Sequence, residues 1–132
     1  MKSNKQYIQK ANRNTDRNWD AKKIDPIQMN LLKYGISTVR EKEITNENFT
    51  VKGKTRPPDL RDTKHNIIFE HDTYKIHGDL SNPNERTLKR NADYKNANYP
   101  LIIIHEDLCK MLQLNEADLA VYLYYHKLME MK

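Results

Sequence analysis

Apolar positions along this chain fall in short clusters set apart by polar segments, and their spacing changes from helical to extended and back. Ile27, Leu31 and Tyr34 share one helical stripe. Asp25-Pro26 before them has the character of a helix start and Gly35 after them that of a stop, so a short helix is expected. β-Branched residues then dominate Ile36–Ile44, which predicts a strand; after the turn-like Thr45-Asn46-Glu47-Asn48 a second strand is expected over Phe49–Lys54 and a third over Arg56–Arg61. The fourth, Asn66–Asp72, contains the unbroken run Ile67-Ile68-Phe69, as suits a central strand covered on both faces.

Polar and turn-forming residues over Gly78–Asn84 mark a loop. A helix should open at Asn84-Glu85-Arg86 and run to about Ala97, followed by a short buried strand, Pro100–Ile104, with the proline at its first position. Glu106–Leu112 reads as a helix, and Asn115 with Asp118 as the capping box of a last helix over Glu116–Met131. Leu119, Tyr122, Leu123 and His126 through Met129 give that helix an apolar stripe. Tyr124 and Tyr125 cannot both face inward with Tyr122, so aromatic surface is left for a partner, possible as a homodimer. The order is helix, a meander of four strands, helix, strand, helix, helix: an α+β or three-layer α/β fold with a mixed sheet.

The chain has 132 residues, which suits one domain over 25–132 behind a basic arm over 1–24. Three glycines leave no room for a glycine-rich nucleotide loop, and the single Cys109 excludes a disulfide framework or a thiolate zinc site. Neither Leu101–Ile104 nor Leu119–Tyr125 approaches the roughly 20 apolar residues that span a bilayer, so no membrane partner is expected. Residues 1–25 lack the apolar stretch of a signal peptide, and a reduced, cytoplasmic protein is expected.

Lys and Arg exceed Asp and Glu by five, which points weakly to a polyanionic partner. Part of that excess lies in the arm, where Lys2, Lys5, Lys10, Arg13, Arg17, Lys22 and Lys23 are interleaved with Tyr7 and Trp19. Such an arm is either a solvated leader or a segment that follows phosphates and stacks a ring on a base. Arg86, Lys89, Arg90 and Asn91 lie side by side on the helix after the loop, as a solvated face or a phosphate-contacting one.

The residues richest in chemistry are Pro57-Pro58-Asp59, then Phe69-Glu70-His71-Asp72, then Lys75 and His77. If the third and fourth strands form a hairpin centred between Lys64 and His65, Asp59 lies opposite Glu70, with Cβ atoms about 4.5–5.5 Å apart. Alternation adds Asp72 to that face and turns Ile67, Phe69 and His71 to the other. Carboxylates so close repel unless a cation sits between them, and a hard ion such as Mg²⁺ is bound through one or two carboxylates. Otherwise they are solvated residues of a sheet face. Zinc held by His65, His71 and His77 is disfavoured, because their positions in the hairpin do not converge.

These segments resemble the PD-(D/E)XK nuclease superfamily. More narrowly, Arg56-Pro57-Pro58-Asp59, Ile67–His77 and the run from Glu85 to Tyr94 that leads into Pro100–Ile104 are similar to small very-short-patch-repair and phage homing endonucleases. The resemblance covers roughly residues 26–105. It implies a nuclease-like domain, a restriction-endonuclease-like mixed sheet flanked by helices, and Mg²⁺- or Mn²⁺-dependent hydrolysis of DNA phosphodiesters, as in homing or nicking enzymes. On this basis Asp59 and Glu70 are metal ligands, and Asp72 is a third ligand or orients water. Asp72 stands where the parent motif has lysine.

The proton-handling residue is then His77, able to exchange a proton near neutral pH, ahead of Lys75, with Lys89 behind both. On a continued strand both Lys75 and His77 would point away from Glu70, so a bend after Asp72 is needed to re-aim either. Arg56, Arg86, Lys89, Arg90 and Asn91, with Arg13, Arg17, Lys22 and Lys23 of the arm, are the candidate nucleic-acid contacts. Two other functions remain open: a catalytically inactive nucleic-acid-binding or assembly protein on the same scaffold, and a junction-resolving nuclease acting as a dimer.

Overall fold

The computed structural model describes residues 22–40, 50–51, 54–55 and 58–132. Arg13, Arg17 and Arg56, with most of the arm, lie outside the described residues.

Residues 22–33 form α1. This helix runs through Asp25-Pro26 instead of starting there. Proline costs the ladder a donor, but Ile24, Ile27 and Leu31 are all buried on one stripe that begins before it, and Asp25 pairs with Arg40. Ile24 therefore belongs to the core, while Tyr34, expected on the stripe, is 55% exposed.

Four strands make the main sheet: β1 (Thr38–Arg40), β4 (Leu60–Asp62), β5 (Ile68–Asp72) and β6 (Leu101–His105), in the order β1-β4-β5-β6. The first three are antiparallel neighbours and β6 runs parallel to β5. The expected four-strand meander is corrected here. β2 (Thr50–Val51) and β3 (Lys54–Thr55) pair with each other as a separate two-stranded ribbon, so the stretch Phe49–Lys54 is not one strand and Arg56–Arg61 is not the next. β1 reaches past this ribbon to pair with β4, Thr38 opposite Asp62. β4 starts only at Leu60, just after the buried Pro58, which has no N–H to give the ladder.

β4 and β5 join through a turn in which Asp62 accepts from the backbone N–H groups of Lys64 (3.3 Å) and His65 (2.7 Å), and Asn66 takes a positive φ of 58°. Their register pairs Leu60 with Phe69 and Arg61 with Ile68, as the hairpin argument expects.

After β5 the chain turns through α2 (Tyr74–His77) and a loop into α3 (Glu85–Asn96), which crosses over to β6, the connection a parallel pair requires. The side chain of Asn84 caps α3, accepting from Thr87 N–H. α4 (Glu106–Leu112) and α5 (Glu116–Glu130) follow, with Asn115 capping α5 by accepting from Asp118 N–H. Among the described residues no helix is long and apolar enough to cross a membrane.

The result is an α/β arrangement with helices on both faces of a mixed sheet. On one face Ile67 just before β5, Phe69 of β5 and Ile102 and Ile104 of β6 pack with Ile24, Ile27 and Leu31 of α1 and Leu119 and Tyr124 of α5. Phe69 and Tyr124 stack with centroids 6.2 Å apart. On the other, Ile68 packs with Tyr94 of α3, supported by Val39, Ala97, Tyr99 and Leu101. The run Ile67-Ile68-Phe69 is buried on both faces of a central strand, as its composition predicts. Burial of each such side chain contributes about 1.5–3 kcal/mol. Of the tyrosines on α5, Tyr124 is buried, whereas Tyr122 and Tyr125 are exposed.

Candidate functional site

The polar site lies at the C-terminal end of β5, on the face covered by α3. Strand alternation sends Ile68, Glu70 and Asp72 to this side; Ile68 meets Tyr94, and the two carboxylates continue the row towards the edge of that small apolar cluster. Both are buried, Asp72 to 2% exposure and Glu70 to 8%. Asp59 stands one residue before β4, where the observed register carries it alongside Glu70. Its carboxylate accepts from the backbone N–H of His71 at 2.7 Å, so it is fastened to β5 itself.

Arg90 and Tyr94, one turn apart on α3, supply the facing groups. Arg90 Nη1 donates to Glu70 Oε2 (3.2 Å) and Asp72 Oδ1 (2.9 Å), while Nη2 donates to Asp72 Oδ2 (2.6 Å). From behind, Asn91 Oδ1 accepts from Nε (3.1 Å) and Nη2 (2.8 Å) of the same guanidinium. The hydroxyl of Tyr94 donates to Glu70 Oε1 at 3.2 Å.

These surroundings act unequally on the charged groups. Burial, reinforced by Asp59 and then Asp72, pushes the Glu70 carboxyl well above its ordinary range, against the opposing pull of Arg90 and Tyr94. For Arg90, burial works against the charge but is outweighed by Asp72 and Glu70, which hold the guanidinium more firmly protonated. Two carboxylates therefore share one guanidinium, and Asp59 adds its charge beside Glu70.

His77 reaches the same place by the bend that a continued strand would not have allowed. Thr73 and the α2 turn fold the chain back, bringing His77 Nε2 to 3.5 Å from Asp72 Oδ1, with Nδ1 3.0 Å from Thr87 Oγ1. Burial lowers its pKa, with Arg90 and His105 adding to the effect and Asp72 opposing it. The turn is fixed by Gly78, whose φ of 82° an L side chain rarely adopts and where a Cβ would lie 3.0 Å from Asn84 N. The buried His105 also holds this turn: it accepts from Asp107 N–H through Nδ1 and donates from Nε2 to the Gly78 carbonyl at 2.9 Å.

The other candidate residues separate clearly. Lys75 is exposed on α2, and the carboxylates pair with Arg90 and His77 instead. Arg86, Lys89 and Lys22 are exposed, and Lys23 is partly buried on α1. Arg90, expected with them on a basic outward face, turns inward; its side chain is 11% exposed, and Asn91 backs it rather than facing outward freely. The physical cause is Tyr94: burying it against Ile68 rotates the helix so that the residue one turn earlier meets β5.

His65, His71 and His77 go to three different places. His65 contacts Tyr124 and Asp62 at the hairpin turn, and His71 pairs with Glu116 of α5 on the opposite face. Among the described residues no group of three or more His, Cys, Asp or Glu side chains is arranged as a metal cage.

Sequence reasoning missed Tyr94, Thr87 and His105 as members of this neighbourhood. The i, i+4 spacing of Arg90 and Tyr94 was the available signal for the first. Thr87 had none, since the bend after Asp72 is what brings His77 to it, and His105 is placed by the parallel pairing of β6 with β5, opposite Asp72. No family model matches the chain, and neither a curated protein nor a solved structure matches it.

Proposed function

We propose that the face formed by β5 and α3 hydrolyses DNA phosphodiesters with a divalent cation, Mg²⁺ or Mn²⁺, held by Glu70 and Asp72 with Asp59 alongside. The observation that carries this reading is a set of acids gathered at a buried place: Glu70 and Asp72 share the guanidinium of Arg90, and Asp59 lies close enough to Glu70 to help raise its pKa. Such a gathering of acids is what a hard divalent cation neutralises, and oxygen donors from one or two carboxylates suit Mg²⁺ or Mn²⁺. When bound, the cation screens charge developing on the phosphoryl oxygens and lowers the pKa of water.

The chain's own residues divide the remaining work. His77 has its Nε2 beside Asp72 and its pKa held down, so it is a neutral imidazole at pH 7 and takes or returns the proton. Asp72, in the position of the family's lysine, cannot stabilise negative charge, and Arg90 is the adjacent group that can. Arg86 and Lys89, exposed on α3, contact the flanking phosphates without reading sequence.

The element order also supports a restriction-endonuclease-like reading. A helix precedes three antiparallel sheet strands, a helix follows, and a last strand runs parallel to the third. The acidic residues sit before the second of those strands and at the end of the third, as the resemblance implies.

One observation favours the alternative of a non-cleaving nucleic-acid-binding scaffold: Arg90 already neutralises part of the carboxylate charge. Incubating supercoiled DNA with the protein and Mg²⁺ or Mn²⁺, with a chelator control, separates the two. Metal-dependent conversion to nicked or linear DNA, lost in Asp59→Ala, is the expected result. DNA binding without cleavage under both metals would select the scaffold. In the same assay His77→Ala should lower the rate and alter its pH profile, whereas Lys75→Ala should leave both intact.

A further inference from the structure

We infer that Arg90 occupies the cation site in the free protein, yields it to the divalent ion, and then binds the substrate phosphate; this rests on the metal-dependent reading above. The starting point is how fully Arg90 uses the acceptors. Both oxygens of Asp72 accept from it, at 2.9 and 2.6 Å, and so does Glu70 Oε2. The remaining Glu70 oxygen accepts from Tyr94. Mg²⁺ needs carboxylate oxygens at about 2.0–2.1 Å, and a guanidinium on the same oxygens excludes it by space and by like charge. Arg90 and the ion are therefore alternative occupants.

The support behind the guanidinium of Arg90 can travel with it, because Asn91, the next residue of the same helix, accepts from Nε and Nη2. Two oxygens of a phosphate can accept from the guanidinium fork side by side, as the carboxylate it gives up does. Exchange thus replaces one bidentate pair with another, and the released cation lies beside the site where phosphate charge develops. Arg86 and Lys89 are exposed on the outer side of α3.

A competing internal cation weakens apparent metal affinity by the fraction of molecules in which the site is open. Calorimetric titration of the full chain with Mn²⁺ reads this directly, without cleavage. Arg90→Ala should bind Mn²⁺ at least tenfold more tightly than the wild type. Arg90→Lys, which keeps the charge without bridging two carboxylates, should fall between them. Adding Asp72→Asn to Arg90→Ala should remove the gain.

Arg90→Ala and Arg90→Lys binding Mn²⁺ no tighter than the wild type would overturn the inference and leave the metal-dependent reading standing. No Mn²⁺ binding by the wild type or either variant would overturn both. Should Arg90→Ala be unfolded without metal, recovery of its helical circular dichroism on adding Mn²⁺ supports the exchange. Failure to recover, with Arg90→Lys no tighter than the wild type, overturns it.

Discussion

β5 presents two sides made from adjacent residues, and the two are put to different uses. Towards α1 and α5 it offers Phe69, packed with Ile67 just before the strand in the larger apolar cluster, with His71 at the end of the row tied to Glu116. Towards α3 it offers Ile68 and then two buried carboxylates that share Arg90, with Asp59 reaching in to the backbone of His71. Packing on the first side stabilises the fold. On the second side the raised pKa of Glu70 means that its ionised form is held at a cost in stability. A perturbed, buried carboxyl of this kind is the feature on which the proposed chemistry rests.

The sharpest way to break this contrast is to substitute neighbours. Phe69→Ala should destabilise the protein by about 3–5 kcal/mol in urea denaturation, because it opens a cavity beside Tyr124. Glu70→Gln, one residue on, should change stability at pH 7 by less than about 1 kcal/mol, since it removes a desolvated charge while keeping the shape. Equal losses at both positions would end the distinction between a packing side and a chemical side.

A smaller effect is expected at the end of the packing side, where His71 meets Glu116. Burial lowers the pKa of His71, but the hydrogen bond and charge of Glu116 outweigh it and leave the pKa raised from 6.5. The same hydrogen bond lowers Glu116 from 4.5, against partial burial. The contribution from His71 is complete below its unfolded pKa and disappears as pH rises through the folded one. The contribution from Glu116 is complete above its unfolded pKa and disappears as pH falls through the folded one. The pair therefore stabilises most between about pH 4.5 and 6.5. Partial exposure of Glu116 limits the pair to about 1 kcal/mol. The stability difference between wild type and Glu116→Gln should peak in that window and shrink by pH 8; a flat difference would show that His71 does not titrate against Glu116.

Much of the architecture was legible from local pattern. Ile67-Ile68-Phe69 marked the central strand, the loop residues after Gly78 and the cap at Asn84 marked α3, and the hairpin centre placed Asp59 beside Glu70. What was not legible depended on contacts distant in sequence. Burial of Ile24 carries α1 through a proline that locally reads as a start, and pairing of β1 with β4 leaves the intervening chain to form its own ribbon. In the site, three basic residues at i, i+3 and i+4 looked equivalent. Only the docking of Tyr94 on Ile68 selects Arg90 to face the carboxylates.

The measurement that tests the division of β5 most directly is DNA cleavage by Glu70→Gln at saturating Mn²⁺, with native folding verified in the same preparation by its urea midpoint. The account predicts metal-dependent cleavage by the wild type and a loss of at least about 100-fold in the variant, the scale of losing transition-state charge stabilisation, with the midpoint retained. Cleavage by the folded variant at the wild-type rate, or none by the wild type itself, would contradict it.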